Sequence, residues 1–134
     1  MRSIVLASHG RLAAGMRDSL EMIAGPQPDV EVLCAYTDEQ PDAKSWLEER
    51  VSRLAEGDEL VIVTDLLGGS VCNEASEFRN RPGVRVLAGM SLGLVLSIVL
   101  GDGPVDEVVG DALDSIPSQV VLMSPCDDAD EEDF

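Results

Sequence analysis

The sequence of 134 residues contains few aromatic side chains, few basic side chains and a single histidine. Aromatic residues make up only 3% of the chain, so we expect an aliphatic core and no surface for stacking nucleic-acid bases. Nine Lys and Arg residues against 26 Asp and Glu residues give a formal net charge of −17, which argues against binding to nucleic-acid phosphates. A net charge of this sign favours solubility or a basic protein partner.

Cysteines and long apolar runs are also scarce. The three cysteines are odd in number and show no C-x-x-C spacing, so we expect reduced thiols rather than a disulfide framework or a zinc site. The longest apolar run, Leu92–Leu100, has nine residues and is much shorter than the roughly 20 needed to span a bilayer. The first residues also lack the pattern of a signal peptide. These features predict a cytoplasmic protein.

Short runs rich in Val, Ile and Leu alternate with segments of helical periodicity. The predicted strands cover residues 3–8, Val30–Ala35, Glu59–Thr64, Val84–Ala88 and 119–123. Their nearly continuous apolar character indicates strands that are covered on both faces, as in parallel sheets. Two predicted helices precede the last strand, so we expect that strand to lie antiparallel at an edge of the sheet.

Apolar residues at spacings of three and four predict the helices. Two such stripes are Leu12, Met16, Leu20 and Ile23, followed by Ala43, Leu47, Val51 and Leu54. A third helix is predicted to begin near Ser70 and to end before Arg81. Two more cover Leu92–Leu100, which is apolar on all sides and therefore expected to be buried, and residues 105–116.

The predicted fold class is α/β, with a mostly parallel central sheet and helices on both faces. We expect residues 1–125 to form a single domain, because this length falls within the usual range for one hydrophobic core. Residues 126–134 are mainly acidic and are predicted to form a disordered tail.

Two of the predicted strands are followed by side chains that can carry out chemistry. His9 stands at the end of the first strand, and Asp65 follows the third. In parallel sheets ligands bind beyond the carboxyl ends of the strands, where strand order reverses, so we expect His9 and Asp65 to lie side by side. A carboxylate that accepts from Nδ1–H leaves Nε2 with a free lone pair, and such an imidazole is a nucleophile or a general base.

A glycine-rich turn follows Asp65. Gly68 and Gly69 allow the backbone to approach an anion closely, and the third helix then begins with N–H groups that have no partner within the helix. We expect Ser70 to be the N-cap residue, with a hydroxyl that bonds either the helix or a phosphoryl oxygen. The sequence therefore predicts a phosphoryl-transfer site with His9 and Asp65 as catalytic residues and Gly68, Gly69 and Ser70 as phosphoryl-binding residues.

Three other chemistries fit these residues less well. A hydrolase built from Ser70, His9 and Asp65 would lack the G-x-S-x-G turn that exposes the nucleophile. A phospho-receiver domain would need further acidic residues after the first strand to hold Mg²⁺, and Ser8 and His9 occupy that place. A P-loop requires a lysine after its glycines, and no lysine follows a glycine pair in this sequence.

In order and spacing, these segments resemble the IIA domain of the mannose family of the bacterial phosphoenolpyruvate-dependent sugar phosphotransferase system. The resemblance covers roughly residues 1–123 and rests on IVLASHG at 4–10, LAAG at 12–15, SLEMIAG at 19–25 and DLLGGSVCN at 65–73. It implies that the phosphocarrier protein HPr phosphorylates His9 at Nε2, and that His9 passes the phosphoryl group to a IIB domain for sugar uptake. It also implies that Asp65 orients the imidazole and that the Ser70 turn holds the phosphoryl oxygens.

The resemblance has implications for partners and assembly as well. It implies a homodimer in which an edge strand near the C-terminus is exchanged between subunits, and an indirect link to membrane IIC and IID components. No metal and no cofactor are expected, because the donor is already a phosphohistidine and backbone N–H groups handle the charge. Two alternatives are a regulatory phosphoprotein that is not coupled to transport, and the phosphotransfer subunit of a dihydroxyacetone kinase.

The sequence departs from the family pattern at three positions. Val71 stands where the family usually has Pro, and Ser91 and Gly93 stand where the family has the Asn and the Pro of Gly-x-Asn-Leu-Pro. Ser91 and Gly93 lie in a loop on the side of the predicted site, so we expect these departures to affect the choice of partner or the tuning of phosphoryl transfer.

Overall fold

The computed structural model describes residues 1–38 and 42–125. Its strands are β1 (Arg2–His9), β2 (Val30–Ala35), β3 (Glu59–Thr64) and β4 (Val84–Ala88). Its helices are α1 (Leu12–Ala24), α2 (Ala43–Ser52), α3 (Ser70–Ser76), α4 (Leu92–Leu100) and α5 (Val105–Gln119). The strands form one all-parallel sheet in the order β2-β1-β3-β4. The predicted α/β fold is therefore confirmed, and the predicted tail at 126–134 lies outside the described residues.

The sheet separates two hydrophobic clusters. Leu6 on β1 faces the cluster that α1, α4 and α5 cover, whereas Ile62 on β3 faces the cluster that α2 and α3 cover. Both side chains are fully buried, and each contributes about 1.5–3 kcal/mol of apolar burial. Because both faces are covered, the strands need apolar side chains on both sides, as their sequences indicated.

The predicted fifth strand at 119–123 is not formed, and its placement as an antiparallel edge strand is wrong. Helix α5 continues to Gln119, and in the described structure residues 121–123 make no backbone hydrogen bond. The apolar side chains of 120–123 are exposed, and that of Leu122 is 98% exposed. A strand forms only beside a neighbour that completes its hydrogen bonds, and no neighbouring segment in the described part of this chain does so.

The predicted helices form at the predicted places, but some of their predicted apolar residues are exposed. Of the apolar stripe predicted for α1, Leu20 is buried, whereas Leu12 and Ile23 are exposed. Helix α3 ends at Ser76, earlier than predicted, and Leu100 at the end of α4 is exposed rather than buried. Spacing alone did not determine which side of α1 is buried, whereas the stripe predicted for α2 is buried at its Ala, Leu and Val positions. No helix in the described residues is long and apolar enough to span a membrane.

Two of the three departures from the family pattern have local structural roles. Ser91 is the N-cap of α4, and its Oγ accepts a hydrogen bond from the Leu94 N–H at 3.2 Å. A Cβ at Gly93 would meet only the terminal amide of the exposed Gln119 side chain, which can turn aside, so no packing role follows for this glycine. Val71, the second residue of α3, is fully buried, and its side chain is part of the hydrophobic cluster on that face of the sheet.

Strand order reverses between β1 and β3, and this reversal positions the site. The chain passes from β1 to β2 on one side, whereas β3 lies on the other side of β1. Ala7 is paired with Thr64, so the last residues of β1 lie next to the residues that directly follow β3. The carboxyl ends of β1 and β3 therefore flank the crevice at which ligands bind in open parallel sheets.

Candidate functional site

His9 and Asp65 meet at this crevice, as the sequence predicted. The His9 backbone N–H and the ring Nδ1 each lie 2.8 Å from the same oxygen, Asp65 Oδ2. An ionised carboxylate only accepts hydrogen bonds, so Nδ1 is the protonated nitrogen of the neutral ring. Nε2 is consequently the unprotonated nitrogen, and its lone pair lies on the opposite side of an imidazole that is 43% exposed.

The environment of Asp65 keeps its carboxyl group charged. Burial raises the pKa of this group, but the hydrogen bonds from the His9 N–H and from Nδ1 outweigh burial and hold the pKa below its usual value. Its side chain is only 11% exposed. The other oxygen, Oδ1, is buried and has no hydrogen-bond partner among the described residues. The negative charge of Asp65 is thus directed at His9.

Ser70 does not cap α3, contrary to the prediction. Gly69 is the N-cap in an extended conformation, and Ser70 is the first residue of the helix, without a side-chain capping bond. The Ser70 hydroxyl is therefore available to the site, and its Oγ lies 3.2 Å from His9 Nε2. The structure brings together His9, Asp65 and Ser70 in one row, with the imidazole in the middle.

The two glycines shape the turn between Asp65 and Ser70. Gly68 has φ = 80°, a conformation that favours glycine, and a side chain at Gly69 would lie 3.3 Å from His9 Cε1. The Gly69 N–H donates to the carbonyl of Leu66 at 3.0 Å. The Gly69 N–H already has a partner, so the two glycines contribute mainly space and shape to the turn.

Free backbone donors follow immediately. In the described structure, the N–H groups of Ser70 and Val71 have no acceptor. They belong to the first turn of α3, where N–H groups lack partners within the helix. Val71 is fully buried, so of these two N–H groups the one at Ser70 accompanies the hydroxyl that faces Nε2.

Sequence reasoning missed Tyr36, which completes this group. Its hydroxyl donates to Ser70 Oγ at 2.7 Å, and its ring centroid lies 5.5 Å from that of His9. Tyr36 directly follows β2, whose end lies beside the end of β1. The available indication was its position as the only tyrosine, immediately after a strand at the same edge of the sheet.

Exposed leucines flank the site. Leu66 and Leu67 directly follow Asp65, and Leu12 begins the helix that follows His9. All three side chains are exposed. We call these three residues the apolar rim. Exposed apolar groups beside a reactive residue are typical of surfaces that bind another protein.

Known proteins are similar to this chain in both sequence and fold. The family model EIIA-man, described as PTS system fructose IIA component, matches residues 3–116. The sorbose-specific EIIA component of the PTS system of Klebsiella pneumoniae is 35% identical over 96 residues, which cover 71% of this chain and 70% of that protein.

Solved structures agree with these sequence matches. The phosphotransferase system component EIIA from Streptococcus agalactiae is 29% identical, with a TM-score of 0.80 over 94% of this chain and 100% of that one. The mannose/sorbose-specific IIA subunit from Enterococcus faecalis is 25% identical, with a TM-score of 0.79 over 92% and 95% of the two chains. The chain therefore belongs to the mannose family of IIA components of the sugar phosphotransferase system.

Proposed function

We propose that this protein accepts a phosphoryl group from phospho-HPr on His9 Nε2 and passes it to a IIB domain during sugar uptake. The observation that carries this proposal is the 2.8 Å contact between His9 Nδ1 and Asp65 Oδ2. This contact fixes the tautomer in which Nε2 is unprotonated and nucleophilic, on the exposed side of the ring.

The transfer step follows from these contacts. The lone pair of Nε2 forms a bond to phosphorus while the bond from phosphorus to the donor histidine of HPr breaks, and that bonding pair stays on the donor nitrogen. His9 keeps its proton on Nδ1, so its ring becomes cationic, and the Asp65 carboxylate stabilises this charge. Transfer to IIB reverses these bond changes with the acceptor side chain in place of HPr.

The turn before α3 supplies the phosphoryl-binding part of the proposed site. The hydroxyl and the backbone N–H of Ser70 are donors for the phosphoryl oxygens, whose charge develops during transfer. Gly69 lets the turn approach the imidazole closely, and Gly68 supplies the positive φ that the turn needs. The phosphoryl-binding role of Gly68, Gly69 and Ser70 thus stays a prediction, with the glycines acting through the shape of the turn.

The surroundings of the site support successive docking of two protein partners. The apolar rim offers leucine side chains next to His9, and the acidic chain favours a partner with basic residues. We propose that HPr and IIB bind here in turn. We also assign the protein to the cytoplasm, and the free thiols of Cys34 and Cys72 support this assignment.

We further propose that residues 1–125 form the phosphocarrier domain of a homodimer. The exposed apolar side chains of 120–123 and the outer edge of β4, which has no strand neighbour in the described part of the chain, support this assembly. Pairing of 120–123 with β4 of a second copy would cover both surfaces. An uncovered sheet edge is a common place for strand pairing between chains.

Intact-mass analysis tests the phosphocarrier proposal. Incubation with phosphoenolpyruvate, enzyme I and HPr is expected to add one acid-labile phosphate to the wild type and none to His9→Gln, which contains no other histidine. An unmodified wild type, or a His9→Gln variant that is still modified, would overturn the proposal. Chase with a purified IIB domain then separates a transport carrier, which loses the phosphate to IIB, from a regulatory phosphoprotein that retains it.

A further inference from the structure

Tyr36 contacts the proposed site through both its ring and its hydroxyl. The hydroxyl donates to Ser70 Oγ at 2.7 Å, and the ring is tilted by 41° against that of His9. The loop after β2 thus adds a fourth side chain to the row of His9, Asp65 and Ser70.

The backbone of Tyr36 is held in an unusual conformation. With φ = 61°, Tyr36 is the only residue other than glycine with positive φ in the described structure. A side chain with a Cβ adopts this conformation at a cost, which the neighbouring contacts must offset. The Thr37 hydroxyl donates to the Cys34 carbonyl at 2.8 Å, and the Gly10 N–H donates to the Ala35 carbonyl at 2.9 Å. These bonds fix the turn that places Tyr36 over the site.

The directions of the hydrogen bonds follow from Asp65. Because Nδ1 donates to the Asp65 carboxylate, Nε2 of the neutral ring can only accept, so the Ser70 hydroxyl proton points at Nε2. Ser70 Oγ in turn accepts the proton of the Tyr36 hydroxyl. The donors form one chain from Tyr36 to Ser70 to His9.

We infer that Tyr36 is a positioning residue that keeps the Ser70 hydroxyl oriented as a donor towards the reacting nitrogen. This inference rests on the proposed function. When Nε2 forms its bond to phosphorus, its lone pair is no longer available, and the Ser70 proton turns to a phosphoryl oxygen. No proton is transferred in this step, because the hydroxyl proton stays on Ser70 Oγ. The bond from Tyr36 keeps Ser70 Oγ in place while its proton exchanges acceptors.

Tyr36→Phe tests this role, because it removes the hydroxyl and retains the ring. We expect the phosphorylation rate at saturating phospho-HPr to fall about fivefold, the size of effect that one neutral hydrogen bond produces. The KM for phospho-HPr should stay unchanged, because the hydroxyl faces Ser70 and not the partner. In a Ser70→Ala background, Tyr36→Phe should have no further effect. Ser76→Ala on the same helix, outside the site, is the matched control for Ser70→Ala.

The single histidine permits a second measurement that does not depend on transfer. In protein labelled with ¹⁵N-histidine, one pair of ring-nitrogen signals reports on His9 alone. Tyr36→Phe is expected to shift the Nε2 signal towards the value of a nitrogen without a hydrogen bond and to leave the Nδ1 signal in place. The spectrum also shows whether the variant is folded.

These measurements separate the inference from the proposed function. A wild type that is never phosphorylated refutes the proposed function, whereas a phosphorylated wild type matched in rate by Tyr36→Phe refutes only the role of Tyr36. A higher KM at an unchanged saturating rate would make Tyr36 a docking residue and overturn the inference. So would an equal loss of rate with and without Ser70, or an Nε2 signal that does not move.

Discussion

At the scale of single residues, one carboxylate oxygen determines the orientation and the tautomer of the His9 imidazole. Asp65 Oδ2 accepts from both the backbone and the ring of His9, whereas Oδ1 has no partner among the described residues. This arrangement fixes the orientation and the tautomer of the ring together. The two effects of Asp65, on the charge of the site and on its shape, can be separated by an isosteric substitution.

Asp65→Asn is expected to slow phosphorylation of His9 by about tenfold to a hundredfold, the range for loss of a hydrogen bond to a charged group. The amide is close in shape to the carboxylate but lacks the charge that stabilises a cationic ring. Initial rates with phospho-HPr measure the effect. Asp106→Asn, which removes an exposed carboxylate paired with Arg85, is the matched control and should keep the wild-type rate.

The lowered pKa of Asp65 also predicts how stability depends on pH. The folded state favours the ionised carboxylate, so this contribution is complete above the unfolded pKa of about 3.9 and disappears as pH falls through the lower folded pKa. Urea unfolding at several pH values should show that the stability advantage of the wild type over Asp65→Asn shrinks as the solution is acidified below that point. A difference that is constant with pH would contradict this assignment.

At the scale of elements, β1 provides the cap of the helix that follows it. Ser8 is fully buried, and its Oγ accepts from the Ala13 N–H at 2.8 Å and donates to the Gly10 carbonyl at 3.1 Å. The nominal N-cap of α1, Arg11, makes no capping bond with its side chain. The turn that carries His9 from the strand to the helix is therefore stabilised by the preceding residue.

Ser8→Ala is expected to lower the free energy of unfolding by about 1–3 kcal/mol, because it leaves the buried Ala13 N–H without a partner. Urea denaturation measures the change. Ser52→Ala at the exposed end of α2 serves as a control with little expected effect. Equal stabilities of the two variants would refute the capping role of Ser8.

The junction of α4 and α5 depends on a residue without a side chain. A Cβ at Gly101 would overlap Val108 and approach the Ser97 carbonyl, so Gly101→Ala should destabilise the protein by about 1–3 kcal/mol. Gly110 on α5 has open space around it, and Gly110→Ala should instead be neutral or stabilising by up to about 1 kcal/mol. Both variants replace a glycine by alanine, and thermal unfolding tests whether the change in stability has opposite signs at the two positions.

At the scale of the whole molecule, the exposed segment at 120–123 separates a monomer from the proposed dimer. If a second copy covers this segment, Leu122→Glu places a charge in the interface and should shift the molar mass from that of a dimer towards that of a monomer. Light scattering over a range of concentrations measures this shift. Leu113→Glu, on the exposed face of α5, is the comparison. A wild type that is monomeric at all concentrations would refute the dimer.

The sequence predicted the four parallel strands and the meeting of His9 with Asp65, because apolar runs and strand ends are local features. It did not predict the contact of Tyr36 with Ser70, because the loop conformation depends on residues far apart in the chain. It placed a fifth strand at 119–123, because β-propensity does not reveal whether a partner strand is present. The capping role was assigned to Ser70 although Gly69 fills it, since a glycine caps without a side chain.

The two-point attachment of His9 to Asp65 restricts how the phosphoryl group can travel. Because both the backbone N–H and the ring Nδ1 of His9 bond to Asp65, the imidazole does not rotate from one partner protein to the other. Donor and acceptor must therefore come to the same exposed nitrogen, and their footprints on this surface overlap. In the proposed relay the two complexes exclude each other. Dephosphorylated HPr then competes with IIB for the phosphorylated form of this protein. The relative concentrations of HPr and IIB would therefore determine the rate of phosphoryl transfer to IIB.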